Sequence, residues 1–304
     1  MDELEHLFIP AEHKQLVIPN SFSSNLTYWE DAWMRLKKNK LALCGLFFLC
    51  LLVCLSILGP YISSYTYYET HLHQKNLKPC KMYWFGTDEL GRDLFTRIWW
   101  GARISLFVGI SAAIIDMIIG VFYGAFAGLC GGKIDEAMMR FADILYSLPY
   151  LLIVILLMVV MGPGILTIII AMTITGWINM SRIVRAQILQ LKNQDFILAA
   201  RSLGAGSCRI LIKHLIPNTL GSVITTMTLT IPAAIFTEAF LSFLGLGVQA
   251  PIASWGTMAS DGLSALRYYP WRLFFPASFI SMTMLSFNLL GDGLRDALDP
   301  RLRS

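Results

Sequence analysis

Charge is scarce in this chain. Asp, Glu, Lys and Arg make up 14% of its 304 residues, against roughly 25% in soluble domains, while 56% of residues are hydrophobic. With a mean hydropathy of +0.60, that deficit excludes an ordinary soluble domain and places the chain among polytopic membrane proteins. Cysteine is sparse and unpatterned. Cys44, Cys50, Cys54, Cys80, Cys130 and Cys208 form no CxxC pair, which excludes the usual zinc and redox motifs. Cys50 and Cys54 stand one helical turn apart, as packing residues do, and Cys80 has no neighbour in its loop for a disulfide. Catalytic signatures are missing too. There is no HExxH and no GxSxG. The single Gly-Lys, Gly132-Lys133, is followed by Ile134, and Ala127 stands where a phosphate-binding loop needs its first glycine. His71-Leu72-His73 offers two imidazoles without a third ligand. No basic stripe interleaved with aromatics marks a nucleic-acid surface. No internal inverted repeat, no low-complexity segment and no cleavable signal peptide is apparent.

What the chain has is long apolar runs. Residues 1–27 are a polar lead-in, whose Asn25-Leu26-Thr27 sequon means nothing on a cytoplasmic segment. Tyr28–Lys40 can form an amphipathic helix with Trp29, Trp33 and Leu36 on one face, suited to lying on the bilayer surface. Leu41–Ile62 is long enough to cross roughly 30 Å of hydrocarbon. The basic flank Arg35–Lys40 puts its start in the cytoplasm. Residues 63–103 then form an external loop rich in interfacial Tyr and Trp. Five further spans follow, at Ile104–Gly128, Ile144–Gly162, Ile165–Val184, Leu220–Leu246 and Leu273–Leu290. Leu129–Asp143 is expected as a short inside loop, and Gly291–Ser304 as a cytoplasmic tail. The expectation is an all-α protein with six transmembrane helices and both termini in the cytoplasm. The permease core is 104–290. Basic residues sit at every inside turn, although Lys75, Lys78, Lys81, Arg92 and Arg97 blur the rule outside.

Two carboxylates fall inside spans. Asp116 lies near the middle of the second, where a charged side chain costs roughly 2.5–3.5 kcal/mol on insertion scales. Glu238 lies in the fifth, ahead of a glycine-rich stretch. Each is a candidate for a polar translocation path, and each is equally compatible with structural bonding to a neighbouring helix. Asn179, Ser181 and Arg182 read as the boundary of the fourth span. The stretch DFILAARSLGAGSCRILIKHLIP, 195–217, is a basic helix–glycine turn–helix between two spans. Its broken backbone and charges cannot lie in hydrocarbon, so it belongs at the cytoplasmic face as a docking element. Gly204 permits the sharp turn and a close approach. Pro217 suits the first turn of the fifth span.

This stretch resembles the cytoplasmic coupling loop of ATP-binding-cassette importer permeases. The matching positions are Ala199, Ala200, Gly204, Ile210, His214 and Pro217, with Arg201 alongside; Leu198 stands where a Glu often sits. The blocks at Arg35–Leu46, Phe85–Leu106, Gly176–Leu189, Leu241–Gly262 and Phe287–Arg303 resemble the C-type permease subunit of dipeptide, oligopeptide and nickel importers, from about Trp33 onward. The resemblance implies a binding-protein-dependent permease of a bacterial cytoplasmic (inner) membrane. It implies a heterodimer with a homologous B-type permease subunit, two ATPase subunits that dock on 195–217, and an external peptide-binding protein. ATP and Mg would be used by those ATPases; this chain would bind no cofactor and hydrolyse nothing. Oligopeptide is the expected cargo, with dipeptide or a nickel chelate as alternatives. A stand-alone secondary transporter using Asp116 or Glu238 as an ion site is the reading from another class, and an intramembrane enzyme lacks any paired constellation.

Overall fold

The computed structural model describes residues 28–298. The lead-in 1–27 with its sequon, and Arg301 and Arg303 of the tail, lie outside the described residues. Among those described, the regular structure is helical, and a lone antiparallel bridge from Thr87 to Asp93 stands in place of any sheet.

The first helix, α1 (Tyr28–Lys38), turns Ala32 and Leu36 onto the bundle and leaves Trp29 and Trp33 exposed. Lys37 lies over the Trp33 ring at 5.1 Å. Leu36 thus parts from the tryptophans, which keep the outward position an interfacial helix needs. Asn39 then caps α2 (Lys40–Ile62), its Oδ1 accepting from the N–H groups of Leu41 and Ala42 at 3.1 and 3.2 Å. Pro60 in α2 has no N–H for the Ser56 carbonyl one turn back. Arg103 supplies the missing donor, with Nε 2.6 Å from Ser56 O and an Nη 2.7 Å from Ile57 O.

The second span begins ten residues earlier than expected. Asp93 caps α3 (Leu94–Cys130), accepting from the Thr96 N–H at 3.0 Å and its hydroxyl at 2.6 Å. Its 37 residues make about 55 Å of helix, so 94–103 is a helical extension rather than loop. The third span also differs. Residues expected as an inside loop form α4 (Gly132–Tyr146), and α5 (Tyr150–Met161) follows at a bend of 77°. Pro149 at the break cannot continue α4, and the 12 residues of α5 reach about 18 Å, short of a full crossing. After α6 (Ile165–Leu191) come α7 (Asp195–Ser202), α8 (Ser207–Ile210), a π turn (Leu211–Leu215) and α9 (Ile216–Phe243). The last three are one helical run of 37 residues, Ser207–Phe243. α10 (Trp255–Ser264) and α11 (Trp271–Leu298) close the described chain. Among the described residues, five helices are long and apolar enough to cross a membrane, or six if α4 and α5 count as one broken span.

Helix contact in lipid depends on small residues that let backbones meet. α3 carries Gly120, Gly124 and Gly128, one per turn along the face against α6. A Cβ at Gly120 would stand 2.6 Å from the Met180 Cβ, and one at Gly128 2.9 Å from the Ile188 Cβ. At Gly124 it would collide with the Ser181 carbonyl. Gly45 and Gly293 do the same between α2 and α11, against the Ser286 carbonyl and the Ala42 Cβ. Gly124→Leu is expected to wedge α3 from α6 at a cost of about 1–3 kcal/mol or more, read as a lower detergent melting temperature. Gly164→Ala, with nothing within 4 Å of its Cβ, is the control and should melt as the parent does.

Candidate functional site

The 195–217 segment is an elbow clamped to the bundle on one side and open on the other. α7 ends in a Schellman turn. The Ala205 N–H donates to Ala200 O at 3.0 Å, and the Gly204 N–H to Arg201 O at 2.9 Å. Gly204 sits at φ +82°, where a side chain is strained. A Cβ there would meet nothing within 4 Å, so within this chain handedness requires the glycine and the expected close approach does not occur. Pro217 does not break the chain between elbow and span. It lies in the first turn of α9, just past the π turn, where the Ile216 N–H reaches back to Leu211 O. Asn218 Nδ2 donates to the His214 carbonyl at 2.6 Å. The helix runs on through the π turn, and the second half of the elbow, from Ser207, forms one rod with the span.

The inner side of the elbow is Ile197, Ile210 and Leu215, all at most 1% exposed, packed with Val121, Val184 and Ile188 of α3 and α6. Lys192 Nζ donates to Gly128 O at 3.1 Å, a cation at the C-terminus of α3. α4 is pinned to α6 beside it. Arg185 grips Asp135 in a two-pronged pair at 2.5 and 2.7 Å, and Arg182 meets Asp143 at 2.7 Å over the Tyr146 ring. Arg182 is therefore a tether as well as a boundary. The outer side carries Phe196 and Leu198, exposed, and Leu203 at 88% exposure. By helical periodicity Phe196 and Leu203 fall on one side of α7 and Leu198 on the other. Ala199 and Arg201 are exposed, while Ala200 and His214 are half-buried.

The two intramembrane carboxylates are not brought together. Glu238 is wholly buried and accepts the hydroxyls of Ser105 at 2.9 Å and Ser242 at 2.8 Å. Ser105 in turn accepts the Trp255 N–H at 3.2 Å, and Trp255 Nε1 donates to Ile98 O at 3.0 Å. Glu238 thereby ties α9 to α3 and, through Ser105, to α10. Asp116 lines a cavity between α3, α5, α6 and α9, described below.

A third polar cluster, at the end of the bundle opposite the elbow, went unread in the sequence. Asp88 accepts Arg92 Nε at 2.6 Å and lies 3.7 Å from Arg97 Nε. Arg272 reaches Asn76, Glu89 and the Asp261 carbonyl at 3.2–3.4 Å. Burial pushes the Asp261 carboxyl pKa up against the pull of Arg97. The signal was present in GTDELGRDLFTR, where three acids and two arginines share a short stretch that opens on turns. Among the described residues no group of three His, Cys, Asp or Glu is placed to hold a metal. His71 instead packs edge-on to Tyr65 and lies 3.5 Å from Glu69.

The serine bonds on Glu238 yield a test. Glu238→Ala strands two buried hydroxyls and is expected to lower stability by about 2–3 kcal/mol, with Glu238→Gln losing less, both measured by detergent melting. Unchanged melting in Glu238→Ala would contradict the bonding role.

Residues 120–304 match the family described as binding-protein-dependent transport system inner membrane component, and residues 27–79 match the N-terminal TM domain of oligopeptide transport permease C. The chain is 58% identical over 299 residues to the oligopeptide transport system permease protein OppC of Bacillus subtilis (strain 168), covering 98% of each. It is 61% identical over 280 residues to the dipeptide transport system permease protein DppC of the same organism, covering 92% of this chain and 88% of that one. OppC of Escherichia coli (strain K12) is 44% identical over 277 residues, 90% of this chain and 92% of that one. A solved chain of the MetNI methionine ABC transporter, in an inward-facing conformation, shares the fold. Its TM-score is 0.55 at 17% identity, over 66% of this chain and 94% of that one. With near-full-length relatives that are all permeases, and a family match spanning the elbow and both helices it joins, this multi-pass chain belongs to the family of binding-protein-dependent transport system inner membrane components.

Proposed function

We propose that this chain is the C-type half of a peptide importer, driven by ATPase subunits that dock on the 195–217 elbow. The elbow carries the reading. Its inner face is locked into α3 and α6 by Ile197, Ile210 and Leu215, while Leu203 stands 88% exposed with Phe196 on the same side. An exposed apolar cap on a rigid base is the form of a surface waiting for a protein partner. Leu198, where related loops often carry Glu, is exposed as well, so docking here buries apolar side chains in place of a carboxylate contact. Each such burial contributes about 1.5–3 kcal/mol. Because the elbow from Ser207 onward and α9 form one helical run, a displacement passed from the dock to Ser207 moves the fifth span as a rigid body.

The remaining parts of the reading follow the family. A homologous B-type permease forms the other half of the pore, two ATPases use ATP and Mg, and an external binding protein delivers cargo. The end carrying α1, the elbow and the end of α11 faces the cytoplasm. That assignment is supported by Arg35, Lys37, Lys38, Lys40, Lys192, Arg201, Arg209 and Lys213 at that end. Cargo is proposed as peptide, with oligopeptides first because the oligopeptide relative matches over 98% of both chains. Dipeptides are the second reading, favoured by the 61% identity of the dipeptide relative. Competition between a labelled pentapeptide and a dipeptide for uptake separates them.

Leu203→Asp and Gly204→Val test the dock. Each is expected to leave the permease inserted at its usual level, to reduce co-purification of the ATPase subunits about tenfold, and to abolish peptide uptake. Leu203→Asp acts by losing one buried apolar side chain, and Gly204→Val by straining the turn at φ +82°. Normal uptake in both variants would sink the docking assignment.

A further inference from the structure

The cavity at Asp116 has a chemistry that nothing above uses. It is a cleft of about 430 Å³ between α3, α5, α6 and α9, within the size range of small-ligand sites. Asp116 is 5% exposed, and its Oδ1 has no hydrogen-bond partner; neither does the buried Tyr150 hydroxyl on the same wall. No Lys, Arg or His lines the cleft. A buried carboxylate with no partner in its own chain is costly, and such groups persist where something else supplies the partner.

The rest of the lining says what that partner is. α9 presents Thr226, Thr230 and Thr237 to the cleft. All three donate their hydroxyl protons to their own helix, to the carbonyls of Ser222, Thr226 and Ala233 at 2.8–2.9 Å. Each hydroxyl oxygen therefore keeps lone pairs and no free proton. Thr175, Asn179 and the Tyr150 hydroxyl line the cleft as well and can donate. But the one charge on the wall is the buried carboxylate, with threonine lone pairs beside it and no cation to answer it, and that favours a cationic partner rich in N–H donors. Gly176 seats the carboxylate, since a Cβ there would collide with Asp116 Oδ2.

We propose that this cleft binds the α-ammonium group of a peptide in transit. The proposal rests on the peptide-permease reading above and deepens it. Three N–H donors on one positive charge match Asp116 and the threonine oxygens. The amino terminus is the one cationic group that all unmodified peptides share. A contact made there ignores side chains, as a path for varied sequences requires. Asp116 contacts the cargo; Gly176 is a positioning residue that fixes the carboxylate.

The test uses the complete importer, permease pair with ATPases and binding protein, in proteoliposomes. It compares a tripeptide with its N-acetylated form, each loaded on the binding protein to saturation. In the parent, the free-amine peptide is expected to cross about tenfold faster per ATP hydrolysed than the acetylated one. In Asp116→Asn that ratio is expected to fall to about one through loss of the free-amine rate alone. Gly176→Ala and Thr230→Val are expected to move the ratio the same way by smaller factors, with no change in detergent melting for Thr230→Val. A proportional loss for both peptides in Asp116→Asn, or no loss, would overturn the proposal. Reduced co-purification of the second permease in Asp116→Asn would assign the cleft to a cation of that subunit and overturn it equally. If the parent complex shows no ATP-dependent peptide transport at all, the peptide-permease reading itself fails, and the ammonium site with it.

Discussion

Lipid tails are as apolar as leucine, so two spans gain little from burying leucines against each other. What holds this bundle is backbone contact, and the contact that most of the structure depends on runs along α3. Gly120, Gly124 and Gly128 let α6 lie close enough that a single Cβ at any of them would collide. That approach sets the distance between the two helices that carry everything of interest. Farther along α3, Asp116 meets Gly176 of α6. At the end of α3, Lys192 closes on the Gly128 carbonyl and Ile197 enters the seam. The elbow inherits its rigidity from this seam.

The same constraint explains the position of polar groups. Charged side chains in the bundle are tolerated where a neighbouring element completes them. Arg103 answers carbonyls near the gap that Pro60 leaves, Glu238 collects serine hydroxyls from two helices, and Asp135 meets Arg185 head-on. Asp116 differs in being buried without an answering group. The two intramembrane acids thus differ in satisfaction: the bonded one joins helices, and the unbonded one faces a cleft.

Much of this was legible along the chain, and the failures have one cause. Leu41–Ile62 and α2 agree to a residue because a long apolar run with an Asn cap is a local signal. The Ala199–Gly204 turn was legible for the same reason: helix formers, then a glycine for positive φ. α3 was read ten residues short because Arg97 and Arg103 looked like loop residues, and their partners lie in Asp88 and in the α2 carbonyls. The broken third span was visible in Pro149 but masked by the apolar count. The π turn before Pro217 arises only because the helix runs on through it. Asp116 stood out as an acid in a span, yet Tyr150 and the threonines of α9 join it only when four helices meet.

The central claim is that elbow and bundle move as one piece when the ATPases act. Spin labels at the exposed native Cys208 of the elbow and at Ile134→Cys, in a variant whose other native cysteines are replaced, report the distance between elbow and α4 by pulsed electron resonance. In the assembled importer that distance is expected to stay constant, within the width of the resting distribution, between the nucleotide-free and ATP-bound states. A shift or a second population on ATP binding would show the elbow swinging on its own and would contradict the account.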